Sequence, residues 1–496
     1  LSWFFLKILL QKIYFYTIIG LKMKKIWNVE CKNLVGERVE LYGFVESVRD
    51  HGKIIFFDLR DRSGIIQLVI NSNNPYFSLA KEVRPESVVK VEGKVKEREP
   101  HLINPNLETG KVEVEIEKLE LLSKAKPLPF DVSTDGYEID EALRLKYRYL
   151  DLRRKRLQKN LINRNKVLLF FRNYLHARGF VEIETPMLTK STPEGARDFV
   201  VPSRLFPGKF YALPQSPQQY KQLLMVSGFE RYFQIARCIR DEDPRGDRQP
   251  EFTQLDMEMS YVTRDDVLNF IEEMFIEMVE TLYPHKKITQ VPFPRLTYEE
   301  AMRIYGSDKP DLRKDPHSPN ELAFAFIIDF PMFEWKETEN RWDAVHHPFT
   351  QPKLPDGSKD KDELIKALET SPEILLSEQY DFVCNGYEIG GGSIRTTDPD
   401  VLIKVFETMG NPKEKVLEKF GHLIEAFSFG VPPHGGIAPG IDRIMMILEG
   451  EPNIREVIAF PKTGEGRDLM MNAPSEIDEA QLKELKIRVE ISKEEK

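Results

Sequence analysis

The chain has 496 residues, 41% hydrophobic and 30% charged, which describes an ordinary globular protein with room for two or three domains. Its net charge of −9 excludes a globally basic nucleic-acid binder, although one groove could still gather basic residues. Cys31, Cys238 and Cys384 lie far apart, with no CxxC or Cys/His cluster, arguing against a disulfide framework or a structural zinc site and fitting a reducing cytoplasm.

Residues 1–22 are apolar and aromatic, interrupted by Lys7 and Lys12. No small-residue cleavage site follows them, as a signal peptide would require. A membrane helix would carry both lysines at ~2.5–3.5 kcal/mol each near the bilayer centre. Met23, opening the polar MKKIWNVE, reads as the natural start. Residues 1–22 are therefore expected to be an N-terminal extension outside the fold, with a membrane anchor as the alternative.

From residue 23 to 126 the pattern is short and alternating. Strands are expected at Glu37–Val48, Ile54–Arg60, Ile65–Ile70, Ser87–Lys96 and Val112–Leu121, with a short helix over Tyr76–Val83. Turns at Asp50-His51-Gly52 and Arg62-Ser63-Gly64 separate them. Five strands with a helix after the third is the layout of an OB barrel, a fold that binds oligonucleotides on its strand face. Lys126-Pro127-Leu128-Pro129 is a stiff break, and residues 127–150 read as a hinge.

Residues 151–496 change texture to long amphipathic helices alternating with strands, an α+β domain. A basic run, Arg153-Arg154-Lys155-Arg156 with Lys159, Arg164 and Lys166, opens the helix expected over Leu157–Arg178. It reads either as a local nucleic-acid contact or as a solvated helix face. The segment Gly179–Pro186 then gives a strand ending at proline. Phe233–Asp243 and Gln249–Glu258 read as two strands joined by a charged loop, with Arg240 able to hold a phosphate through a forked contact. Gly435–Arg443 is a glycine-rich turn that permits close backbone approach, followed by a helix.

In this order the three segments resemble the three motifs of class II aminoacyl-tRNA synthetases. With the OB domain first, the chain resembles the aspartate/asparagine/lysine subgroup from about Met23 to the C-terminal region. TPEGARDF (192–199), LPQSPQQYKQLL (213–224), HHPFT (346–350), NGYEIGGGSIR (385–395) and IAFPK (458–462) point to bacterial-type aspartyl enzymes.

The resemblance implies a mixed antiparallel sheet flanked by helices, a homodimer built around Pro186, and ATP, Mg²⁺, L-aspartate and tRNA as ligands. Arg240 would neutralise the α-phosphate as charge grows in the transition state. Phe252 and Arg443 would sandwich adenine, and Arg240 and Arg443 are the expected catalytic pair. Glu242, Gln249, Glu388, Gly440, Ile441 and Asp442 complete the ATP set, and Asp381 with Glu388 would hold Mg²⁺ through hard oxygens. Arg395 and Lys221 would bind the aspartate side chain, with His346 capping it. Glu194, Gln218 and Asp256 would receive the ammonium or orient Lys221. Ser191–Ala196 corresponds to a loop that closes over aspartate. In the barrel Arg49, His51, Phe56 and Gln67 would read the anticodon, by stacking and hydrogen bonding.

Two departures stand out. The insert that bacterial-type enzymes carry between the second and third motifs is absent, the chain running from Asp308–Arg313 to Phe326–Pro331 in a dozen residues. His51 at the barrel turn goes, in similar enzymes, with charging of both tRNA(Asp) and tRNA(Asn), and that relaxed reading is the hypothesis here. The alternatives are asparaginyl or lysyl specificity in the same subgroup, or a catalytically inactive tRNA-binding paralogue.

Overall fold

The structure, a computed structural model, describes residues 25–192 and 195–490. The N-terminal extension and Glu194 lie outside the described residues. The chain divides into two compact units, Leu1–Thr134 and Asp135–Lys496.

The first unit is a closed barrel of β1 (Arg38–Asp50), β2 (Ile54–Arg60), β3 (Ile65–Asn71), β4 (Val88–Glu97) and β5 (Val112–Ser123), in the order β1-β2-β3-β5-β4. Helix α1 (Phe77–Ala80) follows β3. Alternation drives closure: Ile55, Phe57 and Leu59 of β2 are buried in the barrel core, while Phe56 and Asp58 face outward and half-buried. The expected strands stand within two residues of the observed ones.

The second unit opens with α2 (Glu141–Lys146), α3 (Arg148–Asp151) and α4 (Lys155–His176). Its sheet gathers β6 (Val181–Glu182), β7 (Arg231–Ile239), β8 (Glu251–Ser260), β9 (Arg295–Thr297), β10 (Phe324–Ile328), β11 (Gln379–Cys384), β12 (Tyr387–Ile394) and β13 (His434–Pro439), in the order β9-β10-β11-β12-β13-β8-β7-β6. Only the end pairs β9/β10 and β6/β7 are parallel, so the sheet is mixed. The fold is therefore α+β, a five-stranded OB barrel followed by an antiparallel-type sheet flanked by helices. Val167 and Phe171 of α4 and Phe275 of α5 (Arg264–Leu282) pack against Phe324, Phe326 and Phe382 of the sheet to form the main core.

The basic run is divided: Lys155, Lys159 and Lys166 are exposed, as on a solvated helix face, while Arg154, Arg156 and Arg164 turn to acids of the second unit. Arg154 is fully buried on Asp151, Arg156 pairs with Glu451 and Glu456 at 2.5 and 2.9 Å, and Arg164 meets Asp442 at 2.6 Å. Arg144 and Arg148 add contacts to Asp151, and Arg144 reaches Glu456 at 2.7 Å. Asp151 aside, these acids lie far along the chain, so the run's spacing could not announce them.

Two glycines predict opposite outcomes for one substitution. A Cβ on Gly392 would lie 2.2 Å from the Gly436 carbonyl and 2.6 Å from the Tyr380 ring. Gly392→Ala is expected to lower stability by about 1–3 kcal/mol in urea unfolding. Gly421, inside the helix Lys413–Ser428, has nothing within 4 Å of such a Cβ. There Gly421→Ala is expected to raise stability by up to about 1 kcal/mol.

Candidate active site

The antiparallel strands β7, β8, β11, β12 and β13 carry a cleft of about 330 Å³ on the face away from α4. Helix α6 (Gln218–Val226) contributes Gln218 and Lys221 to its wall. Arg240, Glu242, Gln249, Phe252 and Asp256 come from the β7–β8 hairpin, and His346 from the segment before β11. Asp381, Glu388, Arg395, Gly440, Asp442 and Arg443 complete the wall. Ile441 does not reach it: it is fully buried in the core cluster, because the helix Ile441–Glu449 turns that side toward the sheet.

One end of the cleft is cationic and deeply buried. The Arg395 guanidinium donates in parallel to Glu258 at 2.8 and 3.0 Å, and Lys221 lies 2.7 Å from Asp256 and 3.3 Å from Glu258. Arg395 also donates to Ser393 at 2.6 Å and meets Nε2 of His347 at 3.0 Å. Burial disfavours the imidazolium, as do Arg395 and His346, so His347 stays neutral and accepts that bond. Burial would raise the Glu258 carboxyl, but Arg395 and Lys221 outweigh it and hold the group down at about 2. Burial raises Asp256 instead, Lys221 only partly opposing it. Glu258 and His347 were missed in the sequence. The Asp256/Glu258 pair at i, i+2 was visible, but a same-face pair gives no clue to a partner 137 positions away.

Gln218 donates to Gln222 at 3.0 Å, and Gln222 contacts His434 at 3.2 Å. The chain of amides thus ends on an imidazole whose Nδ1 faces the Pro432 carbonyl at 2.8 Å.

The other end carries the arginines and the phenylalanine expected at the nucleotide. The Arg240 guanidinium lies 5.1 Å from the Phe252 ring centroid, and its Nε donates to the Gln215 carbonyl at 3.3 Å. Arg443 donates to the Glu388 carbonyl at 2.6 Å and pairs with Asp247 at 3.1 Å, which fixes its guanidinium. Asp247, in the β7–β8 loop, is a further residue the sequence did not single out. Glu242 faces Arg248 at 3.5 Å. Gln249 accepts from the Lys462 amide at 2.7 Å, tying the IAFPK string to the cleft. The Asp442 carboxylate is occupied by Arg164 and by the Thr253 amide at 3.0 Å, so it braces β8 against the helix bearing Arg443.

Between the two ends, Asp381 and Glu388 converge on Gly391, whose missing side chain would lie 3.3 and 3.7 Å from their oxygens. Burial and the nearby Glu388 charge push the Asp381 carboxyl well above the usual range. His346 stands 3.6 Å from Asp381 with its ring edge-on to Phe330. These hard oxygens fit Mg²⁺.

On the barrel, Arg49 is held in a forked pair by Asp58 at 2.6 and 3.0 Å and donates to Gln67 at 3.1 Å. Gln67 in turn donates to Glu113 at 2.8 Å. Phe56 has the exposed His51 ring edge-on at 5.8 Å. The four expected anticodon residues therefore share one outer face of β1, β2, β3 and the turn between the first two strands.

A buried acid-paired arginine and lysine at one end of a cleft, with an arginine–phenylalanine stack at the other, is the arrangement of an enzyme that joins a carboxylate substrate to a nucleotide. Residues 140–464 match the family of tRNA synthetases class II (D, K and N), and residues 39–122 match an OB-fold nucleic acid binding domain. The chain belongs to the class II tRNA synthetases of the D, K and N group. Within it, the chain is 41% identical to the "Aspartate--tRNA(Asp/Asn) ligase" of Dehalococcoides mccartyi, over 93% of this chain and 98% of that relative. It is 43% identical to the protein of the same name from Rubrobacter xylanophilus, over 93% of this chain and 96% of the relative. The first alignment runs to 595 positions against a chain of 496 residues, so many positions of that relative face no residue here. Asparaginyl-tRNA synthetase from Pyrococcus horikoshii, solved with asparaginyl-adenylate, shares the fold at a TM-score of 0.71 and 23% identity, covering 89% of this chain and 99% of that one. Aspartyl tRNA synthetase from Entamoeba histolytica does so at 0.68 and 23%, covering 88% and 91%.

Proposed function

We propose that the chain is an aspartate–tRNA ligase that activates L-aspartate with ATP and transfers it to the 3′ end of tRNA(Asp), and of tRNA(Asn) as well. The observation that carries the amino-acid reading is the Arg395–Glu258–Lys221 cluster. Its fixed cations suit a side-chain carboxylate, whereas a lysine pocket would need unpaired acids. In the first step an oxygen of the aspartate α-carboxylate attacks the α-phosphorus and pyrophosphate leaves. Arg240 stabilises the charge that grows on the phosphate oxygens, while Phe252 and Arg443 hold adenine. In the second step a ribose hydroxyl at the tRNA 3′ end attacks the acyl carbon and AMP leaves. Mg²⁺ held by Asp381 and Glu388 supplies positive charge against the ATP phosphates. Positioning and charge stabilisation suffice without a dedicated general base.

Exposed Val181, Met187 and Leu188 around Pro186 support a homodimer through that segment. Cytoplasmic location accords with three buried, unpaired cysteines. No helix among the described residues is long and apolar enough to cross a membrane.

The deciding experiment is charging of tRNA(Asp) and tRNA(Asn) transcripts with radiolabelled aspartate. Charging of both supports relaxed reading through His51. Charging of tRNA(Asp) alone removes the second substrate, and charging of neither overturns the ligase. Phe56→Ala is expected to weaken tRNA binding by about 5–150-fold, the loss of one base stack. Pyrophosphate exchange, which needs no anticodon, is expected to be unchanged in that variant.

A further inference from the structure

Gln379 begins β11 on the same face as Asp381, two residues on, and is only 3% exposed. Its Nε2 donates to Asp381 Oδ1 at 2.9 Å and to the Tyr380 carbonyl at 3.4 Å, and a backbone carbonyl, which can only accept, fixes the amide's orientation. The other end of the amide, Oε1, is then buried and meets no donor among the described residues. A buried carbonyl left in this way costs the full desolvation of the group, so the position calls for a ligand that supplies donors or positive charge.

The surroundings identify that ligand. Gln379 lines the cleft, and a Cβ on Gly391 would lie 3.5 Å from its Nε2 as well as close to Asp381 and Glu388. The three polar heads therefore crowd one bare glycine. Across the strand pair Gln379 faces Ser393, the residue that receives Arg395. The amide thus stands at the junction of the carboxylate-binding end and the acid pair. Among the described residues no group of three or more His, Cys, Asp or Glu could hold a metal, so a cation here would fill its remaining positions from water and phosphate oxygens besides the two acids. Mg²⁺ keeps several of its waters, and those waters are donors.

We infer that Gln379 completes the cation subsite, its Nε2 fixing the Asp381 carboxylate and its Oε1 accepting from the water shell of a divalent cation shared by Asp381 and Glu388. The inference rests on the Mg²⁺ reading of that acid pair. Gln379 is then a positioning residue, one shell out from the metal, where loss of such a partner weakens binding by about 10–100-fold.

The test is the affinity of the full-length enzyme for a non-hydrolysable ATP analogue, measured by calorimetry with Mn²⁺ and again with EDTA. The ratio of the two dissociation constants isolates the cation's share. Gln379→Leu and Gln379→Met are expected to cut that ratio about 10-fold while leaving the EDTA value unchanged. Asp381→Asn is the control for the acid pair. An unchanged ratio in both Gln379 variants, with a reduced one in Asp381→Asn, overturns the role of Gln379 and keeps the metal site. Equal weakening with and without Mn²⁺ also overturns it, because a merely structural amide would act on both. A wild-type ratio of one would sink the metal reading itself.

Discussion

Arg240→Gln is expected to lower kcat for aspartate-dependent ATP–pyrophosphate exchange by about 10²–10³-fold, the loss that follows removal of one donor aimed at developing charge. The arginine donates one Nε bond to the Gln215 carbonyl and lies over the face of Phe252. It lines the cleft. Among the described residues the substitution breaks no buried ion pair, so the melting temperature is expected to stay at the wild-type value. Exchange measured at saturating ATP and aspartate separates the catalytic loss from a binding loss. A variant that keeps wild-type kcat and changes only KM would remove Arg240 from the transition state.

The second large effect belongs to Glu258, a residue that touches no expected ligand. Arg395 and Lys221 both lean on it, all three at most 2% exposed. Glu258→Gln keeps the volume and removes the charge, leaving two buried cations to share Asp256. Taking one partner from a buried pair costs about 3–5 kcal/mol, readable in urea unfolding at neutral pH. The acid profile carries a second signature. The Glu258 carboxyl sits at about 2 in the folded protein against an ordinary 4.5. Its stabilisation is therefore fully present above about pH 4.5 and is lost as pH falls toward 2. Asp256, raised by burial, has the opposite sign and opposes stability once pH rises through its folded value. Glu258→Gln should abolish the acid slope assigned to Glu258 and also lower the Asp256 carboxyl, because the Glu258 charge helps to raise it.

Much of this could be read from the residues themselves. The barrel was legible because Ile55, Phe57 and Leu59 alternate with outward polar positions and glycine turns separate the strands. The cleft was legible in outline because its residues lie in contiguous strings that resemble a family, and the fold brings nearly all of them to one wall. What escaped was long-range pairing. Nothing around Glu258 points to Arg395, nor does the loop at Asp247 point to Arg443. Asp442, expected at the nucleotide, is occupied by Arg164 from a helix almost three hundred positions earlier. Gln379 was passed over because an amide in a strand has no motif of its own. Its importance shows only in the carbonyl that no neighbour satisfies.

The arginine-rich opening of the second unit also has a bearing on biosynthesis. Arg144 and Glu456 are 312 positions apart, and Arg156 waits for Glu451 and Glu456. At ribosomal speeds of about 5–20 residues per second, those guanidinium groups emerge tens of seconds before the carboxylates that will bury them. The nascent chain must keep this helical stretch hydrated until Glu451 and Glu456 arrive. The barrel faces no such delay, since its strands pair within residues 38–123. Vectorial folding is thus available to the front of the polypeptide and denied to the back, and a ribosome stalled before Glu451 would release a finished barrel joined to an unfinished enzyme.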